Sequence, residues 1–598
     1  SRAAMTQLTA IEQRQRSRAS RDAGIKRIAT PLGVLLVSAG LMLAVGFQAD
    51  GGGFLSHVFG GGERPLSRLA GFAFSAFVGG WAVYLLIKLL RIALRPIHPA
   101  VAVARLTIDE ALRSNVVVIF TTILLVLLCG MPLVLSADQP LRYQIQSYLT
   151  YGHVVASVVL GLLTVLFACW NVAKDMEQQR AFDVFSKPIG RGGYLVGKFA
   201  GVALLNVVLV IVVVGVLWYI PRVMYGSEAS IQQRTFRGGE PDRYDRLAVR
   251  SQVLTARGTT DADPGMDFAE IATQQLEAYQ QNDPEGFQDF VAASGGINQA
   301  YTAAVNQIRS DWLQIRPLDR RLYSFTGLEQ LKAQADAAAA AADAIEDPEA
   351  RTEAFAQLPT LQLRYHVEIT ALNRSDPVDL TVFINEIPYA ITALVDQKQV
   401  YEIPATLIDD NGTLNVIFAN FTATDDGQIA IGTGSRPRTV KFAPEEGLQV
   451  LYEVGDFGPN IMRAGAVLWL RLAFLAALGT VCGAVFSFAV ASILALAVSI
   501  LAAGGQAIAT VVAAGNAETG IGAVDAAYTG LLGFTSLLAS ILRTFSRLDV
   551  TANLADGQVI LFSELGETVL WVSLGWTGIT LLIGWYLFSR REIARVQV

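Results

Sequence analysis

Cysteine and histidine are scarce, with three and four in 598 residues. Cys129, Cys169 and Cys482 all fall inside apolar runs, where they resemble small core residues, and residues 221–460 contain none, so crosslinks cannot stabilise that part. The histidines are His57, His98, His153 and His366; no two stand at metal-ligand spacing, and no metal site is expected. Neither HExxH nor GxSxG occurs, which removes the commonest hydrolase signatures. Charge is thin as well: Asp, Glu, Lys and Arg make up 16% of the chain, and a formal charge of −6 gives nucleic acid no footing.

Apolar length is what the chain has in plenty. It is 52% hydrophobic with a positive mean hydropathy, outside the range of ordinary soluble proteins. Uncharged runs near 31–48, 69–87, 115–135, 153–173, 199–220, 464–483, 485–504 and 567–588 predict about eight membrane-spanning helices. Seven basic residues precede the first run, which reads as a retained span. Basic residues also crowd 88–113, 174–198 and the tail with Arg590, Arg591 and Arg595, while 49–67 and 136–152 are nearly free of them. Basic loops stay in the cytoplasm, so both termini are expected there and 221–460 outside. That outer part carries 35 acidic against 19 basic residues, net −16, and the remainder is net +10. Arg471, in LWLRLAF, lies at the edge of an uncharged stretch over 472–517 and is a candidate intramembrane charge, with snorkelling from the outer helix end as the plainer reading. GFTSLLASILRTF, within 505–566, suggests an amphipathic or re-entrant helix.

Within the outer part, 221–358 reads as mainly helical, and 359–460 alternates apolar and polar residues in LQLRYHVEITAL, VDLTVFINEI, TLNVIFANFT and GLQVLYEVG between turns such as DDNGT, predicting a β-sandwich. RLYSF at 321–325 alternates too and is expected as its first strand, with the alanine-rich helix that follows as an insertion. An active site here would have to use His366, which alternates as a strand residue, or the acid pairs Asp409-Asp410, Asp425-Asp426 and Glu445-Glu446, which sit in turn-like sequence. The triplets at Asn373, Asn411 and Asn420 matter only in a eukaryotic source.

One loop has more order than charge alone requires. NVAKDMEQQRAFDVFSKPIGRGGYLVGKFAG, at 171–201, contains the phosphate-loop spacing of two glycines and a lysine over 192–198, but Phe199 stands where such a loop needs Ser or Thr, and an apolar run follows. Read as organisation instead, a span ends near Asn171, a short charged helix at 174–187 carries Met176, Phe182 and Phe185 on one side, Pro188 stops it, and Lys198 anchors the next span.

Asp175, Glu177, Arg180, Ser186, Lys187, Pro188, Arg191, Gly197 and Lys198 closely resemble the coupling segment of permease subunits of type-2 ABC exporters, with Ala181 where a threonine is common. RLTIDEALRSN at 105–115 and FSRREIARVQV at 588–598 are similar to that family's interfacial helix and carboxyl end. The resemblance covers about 100–220 and 460–598; residues 1–99, with two additional spans, and the outer domain fall outside it. It implies a polytopic helical protein of the bacterial inner membrane with a six-span core, assembled as a homodimer or pseudo-symmetric heterodimer; the inserted extracytoplasmic α+β domain is read from the pattern of 221–460 and not from the resemblance. It further implies separate ABC ATPase subunits docking at Asp175, Glu177, Arg180, Phe182, Ser186, Lys187, Pro188, Arg191 and Lys198. The chain itself would then be no enzyme and hold no cofactor, with ATP and magnesium on the partner. Its expected function is a permease coupling that ATPase to export or mechanical work; the alternative is a non-transporting scaffold or signalling subunit whose sandwich binds an envelope protein or glycan.

Overall fold

The computed structural model describes residues 65–94, 98–135, 140–178, 189–226, 249–294, 296–356, 358–369, 377–385, 387–423, 429–430, 439–443, 447–503 and 550–590. The expected span at 31–48, the amphipathic segment GFTSLLASILRTF, the acid pairs at 425–426 and 445–446, and the carboxyl terminus beyond Arg590 lie outside them. The chain divides into two compact units, one of 1–255 with 456–598 and one of 256–455.

Among the described residues the first unit has, in chain order, α1 (Pro65–Ala93), α2 (Pro99–Arg113), α3 (Asn115–Val134), α4 (Leu141–Glu177) and α5 (Arg191–Gly226). His98 caps α2 by accepting from the Ala100 N–H, and Pro99 occupies the first helical position, where its missing N–H costs nothing. The α2–α3 pair bends by 67° at its break. One correction concerns α4: residues 174–177 are its last turn, wound on without a break from the span, so no separate surface helix begins at 174.

The second unit is a two-sheet sandwich with helical insertions. Its elements are β1 (Thr255–Asp261), α6 (Phe268–Asn282), α7 (Pro284–Ala293), α8 (Ile297–Trp312), β2 (Gln314–Ile315), β3 (Arg320–Phe325), α9 (Glu329–Asp343), α10 (Pro348–Ala356), β4 (Thr360–Ile369), β5 (Val378–Ile384), β6 (Ile387–Ala393), β7 (Lys398–Pro404), β8 (Leu414–Ala419), β9 (Thr422–Ala423), β10 (Ile429–Ala430), β11 (Val440–Phe442) and β12 (Leu448–Asp456). One main sheet runs β1-β12-β4-β11-β2 with β7 also on β4, the other runs β3-β8-β5-β6, and β9 and β10 form a separate antiparallel pair. RLYSF is a strand and the alanine-rich segment a helix, α9, as expected, but RLYSF is β3, antiparallel to β8, and not the first strand, because β1 and β2 precede it. Leu361, Leu363, Tyr365 and Val367, every second residue of β4, meet Tyr323, Phe325, Val382, Val416 and Phe418 in one core. The opposite face of β4 is polar yet buried: Gln362 accepts from Arg257 and Arg364 donates to Gln449, whose amide donates to Asp261 at 2.6 Å. The described residues of 221–358 are mainly helical, as expected, and β1 and β2 are strands that the sequence reading did not include. TARGTTD gives no apolar alternation because one face of β1 carries Arg257 and the chain narrows at Gly258, where a Cβ would sit 2.8 Å from the Tyr452 ring.

The first unit resumes with α11 (Phe457–Val485), α12 (Phe488–Ala503) and α13 (Thr551–Ala555), then α14 (Phe562–Thr568) and α15 (Gly578–Arg590), joined by the π-helical stretch Val569–Thr577. α11 packs along α4 and α5. Gly465 meets Val214 of α5, and Gly479 and Gly483 meet Ala168 and Cys169 of α4, so small residues let the helix backbones close together. Among the described residues five helices are long and apolar enough to cross a membrane, or six if the bent pair counts as one; of the eight expected spans, the one at 31–48 lies outside those residues. In the run at 485–504 the described residues hold the 16 residues of α12 up to Ala503.

Candidate functional site: a buried charge cluster at the roots of the basic loop

The helices that flank the basic loop present side chains at helical spacing. Asn171 and Asp175 lie four apart on the last turns of α4, and Tyr194 and Lys198 lie four apart on the first turns of α5, so each pair shares one face. A neighbouring stripe of α5, Gly197 and Gly201, faces α2. A Cβ at Gly197 would stand 2.7 Å from the Ala100 carbonyl oxygen, and one at Gly201 would stand 2.6 Å from Thr107 Cβ. This approach brings Glu110 of α2 to the same point.

There the Lys198 ammonium meets three acceptors: Asp175 Oδ2 at 2.7 Å, Glu110 Oε2 at 3.1 Å and Asn171 Oδ1 at 2.5 Å. The ammonium donates hydrogen bonds to Glu110 and Asn171 and is ion-paired with Asp175. The Tyr194 hydroxyl donates to Asp175 Oδ2 at 2.8 Å, and its ring stacks on Phe588 of α15 with centroids 6.2 Å apart. The Lys198 side chain is 1% exposed, Asp175 8% and Glu110 23%, so water screens the carboxylates little and the ammonium hardly at all. One pair at about 4 Å and an effective dielectric of about 20 is worth about 4 kcal/mol, against a desolvation cost of several kcal/mol per ion. The cluster therefore adds little net stability but makes any single missing partner costly. Asp109 of α2 also pairs with Arg91 of α1 at 2.9 Å.

Two residues expected at a docking surface are corrected by this geometry. Asp175 and Lys198 are interior groups bonded within the chain, because α2 closes over them through the two glycines. Glu177 is exposed on the last turn of α4. Arg191 is half-buried and donates to the carbonyls of Phe588 at 3.2 Å and Ser589 at 2.5 Å. Arg180, Phe182, Ser186, Lys187 and Pro188 lie outside the described residues. Arg471 sits half-buried midway along α11, away from the outer end at which snorkelling was expected. The phosphate-loop spacing over 192–198 is wound into α5, and Lys198 is committed to carboxylates.

Elsewhere, His366 is a strand residue of β4, opposite Lys398 of β7. Asp409 belongs to a turn closed by Gly412, at φ 69°, whose N–H donates to the Asp409 carbonyl at 2.9 Å. Among the described residues no three His, Cys, Asp or Glu converge on a point where a metal could sit. Sequence reading missed Glu110, Asn171 and Tyr194. The signal was the i, i+4 spacing of polar residues at both ends of one loop, in helices otherwise apolar on that face. Compared with protein-family models, with curated proteins and with solved structures, the chain gives no match in any of the three.

Proposed function

We propose that this chain is the membrane-spanning subunit of an ATP-driven machine whose ATPase is a separate protein, and that the loop between α4 and α5 is where that protein engages. The reading is supported by the ordered resemblance of 175–198 to a coupling segment, and one structural observation carries it: the two roots of that loop are locked to each other and to α2 by the Lys198 cluster. A push on the loop then moves the ends of three helices as one body, since shifting any of them alone would strand a buried charge. The part this chain plays is mechanical. Nucleotide chemistry belongs to the partner; at the other end the work done is export or displacement of the outer sandwich, whose ligand would be a lipid, glycan or envelope protein. On this reading the chain is a multi-pass protein of the bacterial inner membrane, with both termini and the loop cytoplasmic and 256–455 outside, assembled as a dimer of like or homologous subunits.

The test is purification from native membrane with identification of the co-purifying ATPase, then reconstitution. Replacing 179–187 with a Gly-Ser linker, which spares Asp175 and Lys198, is expected to abolish ATPase binding and stimulation while leaving the melting transition unchanged. Full stimulation after that replacement, or labelling of the loop from the external side, would remove the proposal. Movement of a lipid or glycan across the bilayer marks transport; stimulation by an envelope protein without such movement marks force transmission.

A further inference from the structure

The last membrane-length helix is fixed at both ends and wound differently between them. At one end the buried Asn460 side chain of α11 donates to the Gln558 carbonyl at 2.7 Å and accepts from the Ile560 N–H at 2.9 Å, while Arg463 donates to the Ile560 carbonyl at 3.1 Å. At the other end Arg191 of α5 holds the carbonyls of Phe588 and Ser589, and Tyr194 stacks on Phe588. Between them Val569–Thr577 bonds i to i+5, and the Thr577 hydroxyl donates to the Val572 carbonyl five residues back at 2.9 Å. Runs of this kind are rare, short and concentrated at functional sites.

The composition of this helix is what a soft segment requires. Thr568 and Thr580 donate to the carbonyls of Glu564 and Trp576 at 2.8 and 2.7 Å, contacts that compete with the helical ladder. Glycines stand at 566, 575 and 578. A Cβ at Gly566 or Gly578 would meet nothing within 4 Å, and one at Gly575 would come no closer than 3.4 Å to the Leu570 carbonyl oxygen. The glycines at 197, 201, 479 and 483 are there because a neighbour leaves no room. These three are not, and each weakens a helix about five-fold relative to alanine. Only Val572 and Thr577 of the stretch are buried, Val572 against Phe474.

We propose that Val569–Thr577 is a joint at which the last span exchanges i→i+5 for i→i+4 bonding, and that Arg191 is the positioning residue that sets its register. Conversion to α-helix lengthens the segment and turns α15 about its axis. With both ends tied, a displacement of Arg191 is absorbed by this exchange and leaves the Asn460 anchor in place. The joint does not depend on what moves it; that a cytoplasmic ATPase does so rests on the function proposed above.

The experiment uses the full-length chain in lipid nanodiscs, spin-labelled at the exposed positions Leu561 and Leu582 after replacement of the three native cysteines, with amide exchange measured in parallel. The unsubstituted chain is expected to give two distances and exchange over 569–577 about ten-fold faster than over 578–590. Gly566→Ala, Gly575→Ala and Gly578→Ala together should leave one distance and slow that exchange by more than ten-fold, without lowering the melting temperature. Arg191→Ala should shift the two populations, and Arg191→Lys, which still donates to carbonyls, should restore them. A single distance indifferent to Arg191→Ala overturns the proposal. So does a triple-alanine variant that keeps both distances but loses self-association, since the glycines would then be a contact surface for a second copy. Both populations with their Arg191 response intact, in a chain with which no ATPase co-purifies from native membrane, would remove the function proposed above and leave the joint standing.

Discussion

Replacing Lys198 by methionine keeps the length and apolar stem of the side chain and removes the charge that Asp175 and Glu110 share. Both carboxylates stay in place, 8% and 23% exposed, with their shared counter-ion gone. Removing one partner of a buried ion pair costs about 3–5 kcal/mol, most of it the penalty of the stranded charge. The more exposed Glu110 recovers some hydration, so Asp175 bears the greater share, and the Tyr194 hydroxyl at 2.8 Å offsets a part. The informative comparison is Lys198→Met with Asp175→Asn and Glu110→Gln. That triple variant has no charge to strand, and neutral replacement of a whole buried cluster is often without cost, so stability should return to within about 1 kcal/mol of the parent. Unfolding is readable with a thiol-reactive dye, because Cys129, Cys169 and Cys482 are free and buried. A loss below about 1 kcal/mol for Lys198→Met would mean that the ammonium reaches water. A triple variant as damaged as the single one would mean that shape, not charge, holds the helices. Either result refutes the clamp.

Gly201→Ala forces a methyl to 2.6 Å from Thr107 Cβ and 2.8 Å from the Ala104 carbonyl oxygen, and should cost about 1–3 kcal/mol; Gly215→Ala on the same helix meets nothing within 4 Å and should be neutral or mildly stabilising in the same melting assay. Asn460→Ala leaves the Gln558 carbonyl and the Ile560 N–H without their side-chain partner, at about 1–3 kcal/mol for each buried group, and amide exchange at Ile560 should accelerate ahead of global unfolding. In the sandwich, burial pushes the Tyr323 and Tyr365 hydroxyls above the ordinary value of 10.0, with Tyr401 adding to the second. The folded state disfavours their ionised form, so the stability they contribute is intact below about pH 10 and is lost as pH rises above it. Tyrosinate absorbance should lag and then rise in one step with unfolding; smooth titration near the ordinary value, with the sandwich still folded, would contradict this burial.

The elements that could be read from sequence are those whose periodicity is local. Alternation in VDLTVFI and RLYSF shows on its face which side is buried, and the apolar runs of α4, α5 and α11 are too long to be anything but membrane-length helices. β1 escaped because the face of TARGTTD that carries Arg257 is satisfied by Gln362 across 105 residues of sequence, and no local pattern records a partner so distant. The π-helical stretch escaped for a different reason: VLWVSLGWT is apolar throughout, so a 3.6-residue repeat and a wider one leave the same trace.

Lys198 was found for a reason that its surroundings reverse. A basic residue at the mouth of an apolar run reads as a snorkelling anchor, because a lone lysine gains by reaching water. The outcome was decided by two features that carry no charge, Gly197 and Gly201, which admit α2 to the surface of α5 and bring Glu110 with it. Once α2 is there, the ammonium exchanges water for three fixed acceptors, and Asp175, which sequence places on a docking helix, becomes one of them. A charge predicted to meet a partner protein instead meets its own chain. On the function proposed above, the partner engages the exposed Glu177 and the segment that follows it, and the buried cluster is the means by which a force applied there reaches three helices together.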